Sequence, residues 1–544
     1  MKYLFSLLFT VLLVSCTSSQ EPVDLLITNA VIYTVNDSFE IAEAFVIKDG
    51  RIVKVGTSKS LQKKYKPNEI LNAEGRTILP GLIDAHAHLY NLGVSLQQVD
   101  LVGTTSYNEV LDRVIAFQKE KSSDFILGRG WDQNDWEVKE FPTKVVLDSL
   151  FPNSPIALKR IDGHAYWVNS KALELAGITS ETKMSGGEVV LLNGQPSGIL
   201  IDSPMELIDD IISKPSEQYN IKALKLAEKR CFELGLTTVN DAGSSIGIDR
   251  ELIELIDELQ RDRELNIRVY AMVGNSPKNL DYFLSRGIMK TDRLHVRSIK
   301  VYADGALGSR GAAMKAEYSD HRGHYGAMGT DEASLTTLAK RIAAAGYQMN
   351  THAIGDSANI SVLRVYKETL KDIADPRWKV EHAQIITTSD FEYFSEKILP
   401  SVQPTHATSD MYWAGDRVGP DRIKGAYSYK TLLNRSGMIA LGTDFPVEKV
   451  NPMHTFYAAV ARKDLQNYPE EGFRKEEALT REETLRGMTI WAAYSNFEES
   501  EKGSIEAGKF ADFIMLDKDI MTCDENDIPK IKVLATYING EKVY

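Results

Sequence analysis

Two histidines one residue apart end an apolar run, Leu79-Pro-Gly-Leu-Ile-Asp-Ala-His-Ala-His88. Side chains alternate faces along a strand, so residues i and i+2 share one face. His86 and His88 can therefore aim at a single metal ion. Four more residues with ligand chemistry stand at or near the ends of later apolar runs: Lys300, His352, His382 and Asp444. Imidazole and carboxylate together suit zinc and similar divalent ions, and a set with open positions suits catalysis rather than structure. Lys300 is out of place in such a set as an ammonium. It fits if its neutral amine has taken up carbon dioxide, because the carbamate is an anion able to bridge two metals. Two divalent ions bring four positive charges in that case, against three negative ones from carbamate, Asp444 and a bridging hydroxide. Each residue has a plainer reading when taken alone. Lys300 could snorkel at a strand end, His352 and His382 could be satisfied core histidines, and Asp444 could cap a helix. Their convergence from five strands onto one face favours a site.

The elements that would hold these residues recur in order. β-like segments run over Leu82 to His88, Leu236 to Asp241, Ile267 to Val273, Ser298 to Ala303, Gln348 to His352, Lys379 to His382, Leu399 to Pro404 and Ile439 to Asp444. Most are separated by amphipathic, helix-like stretches such as Ser216 to Leu234 and Leu335 to Ala345. Eight strands alternating with helices predict an α/β chain folded as a (β/α)8 TIM barrel, whose strand carboxyl ends converge on one pocket. The first two strands are separated by roughly 145 residues, far more than a helical connection requires, which predicts an inserted subdomain at about 122–232. The runs before residue 80 and after Gly503 are both short and β-rich, with Asp49-Gly50 and Asn539-Gly540 as hairpin signals. Neither end has enough strands for a stable sheet alone, so residues 22–80 and 503–544 are expected to form one composite β-sandwich. The barrel then occupies 81–502.

At 544 residues, with 43% hydrophobic and 26% charged residues, the chain has the composition of a soluble globular protein. A net charge of −13 and a pI near 5.4 argue against a nucleic-acid partner. Lys2, the apolar stretch Tyr3 to Val14 and the box Leu13-Val-Ser-Cys16 read as a bacterial lipoprotein signal over residues 1–15. That predicts an exported cell-envelope protein anchored in the membrane through lipid on Cys16. An ordinary secretory signal with an incidental Cys16 is the alternative. Cys231 and Cys523 are too isolated to form a disulfide framework, and Cys231 falls in a helical pattern as a small buried hydrophobe.

The segments LPGLIDAHAHL, KVYADGALGSRGAA, NTHAIGD, VEHAQ, SVQPTHA and LGTDFPV, with GRGWD and RIDGHAYWVNSKALELAGI in the insertion, resemble the amidohydrolase superfamily. The likeness is in particular to the family 3, YtcJ-like metal-dependent hydrolases, and covers nearly the whole chain beyond the signal. It implies that His86, His88 and Asp444 bind the more buried of two divalent metals, that Lys300 bridges as N6-carboxylysine, and that His352 and His382 bind the second. It implies metal-assisted hydrolysis of an amide or other carbon–nitrogen bond in a small molecule, with Asp444 taking a proton from the attacking water and passing it to the leaving nitrogen. A mononuclear heterocycle deaminase and a non-catalytic metal-containing binding lipoprotein are the alternatives, and a homodimer is left open. Arg129, Trp131, Asp132, Asp162 and His164 are candidate substrate contacts in an insertion that could cover the barrel mouth, though Trp131 and Trp136 could equally pack the insertion. Asp304, Arg310 and His324 follow the fourth strand, where Asp304 and Arg310 could meet substrate or each other. His406 also lies in a loop near a strand end. His295, His321 and His454 carry no readable role.

Overall fold

The computed structural model describes residues 20–161, 163–184, 187–212, 216–243 and 247–544. Residues 1–19, on which the expected lipoprotein signal and Cys16 fall, and Asp162 lie outside them. Eight parallel strands form the central sheet: β1 (Leu82–Ala87), β2 (Leu236–Asp241), β3 (Arg268–Gly274), β4 (Leu294–Tyr302), β5 (Gln348–Ala353), β6 (Trp378–His382), β7 (Ile398–Val402) and β8 (Ala440–Leu441). Each pairs with the next in chain order. The ring closes between β8 and β1 through main-chain bonds from Asp444 N–H to the His86 carbonyl and from His88 N–H to the Phe445 carbonyl, both 2.8 Å. The Asp84 carboxylate reinforces the seam. It accepts from the backbone N–H of His86 and of Thr443, and from the Thr443 hydroxyl at 2.7 Å. A side chain at Gly442 would strike the His86 nitrogen at 2.5 Å, so the seam requires glycine there.

Alternation sorts these strands as the pattern demands. Ile83 and Ala85 of β1 pack outward on Ala492 and Ala493 of the helix Ile490–Ser495, which turns Asp84 and His86 inward. On β6, Trp378 packs outward against Tyr366 of the helix Asp356–Thr369. Lys379 and Glu381 take the interior, both fully buried. Outer helices present apolar stripes: in Arg250–Arg261, Ile253, Ile256 and Leu259 are buried while the charged face is solvated. Cys231 lies buried on the inner side of Glu217–Glu233. Among the described residues no helix is long and apolar enough to cross a membrane.

The last two strands are shorter than the sequence pattern suggests. β7 stops at Val402 because Pro404 opens the helix Pro404–Asp410. β8 stops at Leu441 because the N–H of Thr443 turns from the neighbouring strands to the Asp84 side chain.

Two further sheets form the sandwich. One holds Arg51–Gly56, Ala44–Lys48, Glu21–Thr28 and Tyr65–Asn72 in that order. The other mixes chain ends: Glu541–Lys542, Val533–Ile538, Phe513–Leu516, Thr77–Pro80, Val31–Tyr33 and Ile41–Ala42. Ile27, Phe45 and Ile47 meet Ile32, Ile78 and Phe513 between them. The turns at Asp49-Gly50, Asn193-Gly194 and Asn539-Gly540 have positive φ at both residues, the type I′ geometry that matches strand twist.

The insertion carries its own six-stranded sheet, in the order Gly187–Leu192, Gln195–Asp202, Ala165–Val168, Ile156–Arg160, Ile126–Trp131 and Val99–Asp100. It starts earlier than residue 122, because the two-residue strand Val99–Asp100 pairs with Gly128 and Arg129. Helix Tyr107–Lys121 covers one face with Val110 and Val114, and helices Ser170–Leu175 and Met205–Ile211 cover the other with Leu173 and Ile208. Helix Glu217–Glu233 packs instead on the helix Leu89–Ser95 that follows β1.

Candidate metal centre

The ends of β1, β4, β5, β6 and β8 bring the six ligand candidates together. His86 Nε2 lies 3.6 Å from Asp444 Oδ1 and 3.3 Å from Lys300 Nζ. His88 Nε2 lies 3.0 Å from the same carboxylate oxygen. The His382 ring is 4.8 Å from that of His86 and 4.6 Å from that of His352. Ligand atoms of His86, His382 and Asp444 all fall within 4.8 Å of one another. Two of these residues reach the centre through left-handed backbone, with φ of 71° at His382 and 64° at Asp444. Glu381 points inward by alternation; the turn at His382 then brings a second consecutive side chain to the same interior.

The remote nitrogen of each histidine has an acceptor. His86 Nδ1–H donates to Glu381 at 2.6 Å, His88 Nδ1–H to the Gly243 carbonyl at 2.5 Å, and His382 Nδ1–H to Gln403 Oε1 at 2.7 Å. His352 turns the other edge, with Nε2 3.5 Å from the Gly305 carbonyl. Such bonds fix the tautomer so that the opposite nitrogen offers a lone pair. Asp444 Oδ1 is buried without a hydrogen-bond partner, since its close approach to His88 is not aligned for one. Apart from the Lys300 Nζ contact with His86 Nε2 at 3.3 Å, these donors converge without bonding to one another, which fits a divalent cation.

Electrostatics leave His352 and His382 neutral, whereas at His88 burial is outweighed by the adjacent Asp444, which raises the pKa. Burial, with Lys300 beside it, pushes the His352 pKa down to about 3. Burial and the neighbouring His352 hold His382 well below its usual range, so both rings are neutral. Burial also pushes Lys300 down to about 8, against the pull of Glu381 and Asp444. For Asp444 burial works against the charge, but His406 and His88 outweigh it and keep the carboxyl well below its ordinary pKa.

Among the described substrate candidates, Asp304 borders the ligand set, with Oδ1 3.6 Å from His352 Nε2. Trp131 is fully buried, donates Nε1–H to the Leu158 carbonyl and packs on Trp136 and Trp167, so it is core of the insertion. Asp132 pairs with Arg160 at 2.5 Å, Arg129 is exposed on its strand, and His164 is exposed with Nδ1 2.8 Å from Asp202. Asp304 and Arg310 do not meet each other. Asp304 is buried and accepts three backbone N–H bonds, from Ala313, Ile354 and Gly355, tying the loop after β4 to the loop after β5. Arg310 forms a two-point pair with Asp320, and His324 donates to the Arg310 carbonyl at 2.9 Å.

Glu381, Gln403 and the Gly243 carbonyl escape a reading confined to ligands, although a glutamate inside the apolar run before His382 is itself a signal. His406 is the other addition, with Nε2 3.3 Å from Asp444 Oδ2.

Residues 69–544 match the model of the amidohydrolase family. The chain belongs to that family. This amidohydrolase is 31% identical to a putative amidohydrolase, YtcJ, of Bacillus subtilis, over 94% of this chain and 98% of the relative. It is 27% identical to an N-substituted formamide deformylase of Arthrobacter pascens, over 95% of this chain and 97% of that protein. Its fold is similar to that of an uncharacterized metal-dependent hydrolase from Pyrococcus horikoshii, with a TM-score of 0.77 at 27% identity over 92% of this chain and 99% of that one.

Proposed function

We propose that this metal-dependent hydrolase cleaves the carbon–nitrogen bond of a small N-substituted amide. The observation that carries the reading is the ring of histidines, each with its remote nitrogen held, around an Asp444 oxygen without a hydrogen-bond partner. The deformylase relative, whose name specifies an N-substituted formamide, supports the choice of bond. His86, His88 and Asp444 would hold one divalent ion, zinc by the donor set, and His352 and His382 a second. Lys300 would bridge them as N6-carboxylysine: a pKa near 8 leaves part of the amine neutral at ordinary pH, able to add carbon dioxide and release a proton. Bound ions supply acidification of water and polarisation of the carbonyl. Asp444, held ionised, accepts the proton of the attacking water and delivers it to the leaving nitrogen. Glu381 and Gln403 keep the imidazole edges turned to the centre.

Metal analysis of the purified protein, followed by a screen of N-substituted amides, ureas, lactams and amino-heterocycles, tests this. The expected result is close to two equivalents of metal and release of amine plus acid. One equivalent with ammonia released from a heterocycle would make it a deaminase, and a fully loaded protein inert to every class would make it a binding protein.

We further propose that the protein is exported and anchored through lipid on Cys16, on the support of Lys2, the apolar run and the Leu13-Val-Ser-Cys16 box. Cys16→Ser should then shift the protein from the membrane to the soluble fraction of its host; an unchanged distribution would refute the anchor.

A further inference from the structure

We propose that His406 is a further catalytic residue of this site, whose Nε2–H donates a hydrogen bond to the substrate's carbonyl oxygen. The proposal rests on the reading of the chain as an amide hydrolase. His406 lies on the helix Pro404–Asp410, directly after β7 and one helical turn beyond Gln403, so one segment serves both the ligand shell and its rim. Its Nε2 is buried and lacks a hydrogen-bond partner. The 3.3 Å approach to Asp444 Oδ2 is not aligned for a hydrogen bond. Its ring stands 5.9 Å from that of His382, at the edge of the ligand set.

What separates His406 from the ligand histidines is its second nitrogen. His86, His88 and His382 each have Nδ1 tied to an acceptor, which reserves Nε2 as a lone pair for metal. Among the described residues no hydrogen bond ties the Nδ1 of His406. A lone pair on Nε2 would face the Asp444 carboxylate at 3.3 Å, so that nitrogen carries hydrogen and this ring presents a donor where the others present acceptors. A buried donor without a partner is costly unless something fills it in the working state. The helix that carries it is fixed: Asp410 accepts from Gln384 Nε2 at 3.0 Å and from the Tyr427 hydroxyl at 2.8 Å.

In the reaction, negative charge gathers on the carbonyl oxygen as water adds to carbon. The water's proton passes to Asp444 and then to the leaving nitrogen. His406 retains its own proton throughout, and its hydrogen bond strengthens as the oxygen becomes an alkoxide. A preorganised donor at that position lowers the barrier more than it tightens substrate binding.

His406→Leu removes the donor and His406→Asn restores one. With the metal-loaded enzyme and a substrate from the amide screen, His406→Leu should lower kcat about 10²- to 10³-fold. KM should stay within about threefold, metal content should match the wild type, and His406→Asn should recover roughly tenfold of the loss. Acetate binding to the loaded protein, read by calorimetry, is a second measure independent of turnover: the Leu variant should bind about tenfold more weakly and the Asn variant close to wild type. A kcat within threefold of wild type in His406→Leu would overturn the proposal. So would loss of metal along with activity, which would make His406 a ligand, or acetate binding that is the same in all three proteins. An inert wild type would overturn the amide-hydrolase reading instead, leaving acetate binding to decide on the donor.

Discussion

Asp444→Asn should lower kcat by about 10³-fold or more while leaving the fold intact, because the substitution removes the base and a ligand charge but no contact that closes the barrel. The backbone of Asp444 has φ of 64°, a left-handed conformation in which asparagine is as comfortable as aspartate. Its N–H bond to the His86 carbonyl, which helps close the barrel, does not involve the side chain. The amide has the carboxylate's shape but neither its charge nor its basicity. A positioned base contributes about 10²- to 10⁴-fold to such a step, and loss of the ligand charge adds to that. The checks are kcat on a substrate from the amide screen and the thermal midpoint of both proteins. A folded variant retaining a tenth of wild-type turnover would remove Asp444 from the role of base.

The ligand set is legible in sequence because strand periodicity carries it. His86 and Lys300 lie on inner faces of long apolar strands, where alternation alone directs them. The three Asn-Gly and Asp-Gly turns are equally legible, since few other dipeptides tolerate two positive φ angles in a row. Legibility fades where geometry departs from those periods. The brevity of β8 is hidden because Gly442, Thr443 and Asp444 continue a β-like pattern, while the N–H of Thr443 turns to the Asp84 side chain. Val99–Asp100 is too short to show any period, so the start of the inserted sheet is invisible. Trp131 illustrates another limit: an aromatic beside Arg129 and Asp132 looks equally like a substrate platform and a core residue. Its burial among Trp136, Trp167 and Phe141 is a tertiary fact. Pairings across long separations, such as Glu381 with His86, leave no local trace at all.

The same blindness to distant pairing conceals the joint between barrel and sandwich, where the second large effect is expected. Arg268→Leu should destabilise the protein by about 3 to 5 kcal/mol at neutral pH, because it strands a buried carboxylate. Arg268 opens β3 at the end of the barrel opposite the metal centre and is fully buried. Its guanidinium binds Asp512 at two points, 2.6 and 2.9 Å, donates to Asn539 Oδ1 at 2.7 Å and to the Asp292 carbonyl at 2.6 Å, and lies 4.0 Å over the Phe510 ring. Asp512 immediately precedes the strand Phe513–Leu516 and Asn539 sits in the turn after Val533–Ile538, so one side chain ties the chain's end to its centre. Burial pushes the Asp512 pKa up, but Arg268 outweighs it and holds the carboxyl below its ordinary range. With the folded pKa depressed, the pair stabilises the wild type above the unfolded pKa of about 4, and that stability is lost as pH falls through the folded value. In Arg268→Leu the sign reverses: burial, the largest influence, then outweighs the Asn539 N–H bond and Lys502 and raises the Asp512 pKa, the folded state takes up a proton more readily than the unfolded one, and the deficit narrows on acidification. Urea denaturation of both proteins at pH 7 and pH 5 reads the difference. The double variant Arg268→Leu with Asp512→Leu should regain most of the loss, since the carboxylate stranded by the single variant is then gone. Turnover per folded molecule should stay near wild type, because the joint and the reacting centre sit at opposite ends of the barrel. A pH-independent deficit would mean that Arg268 acts through packing on Phe510 rather than through its charge.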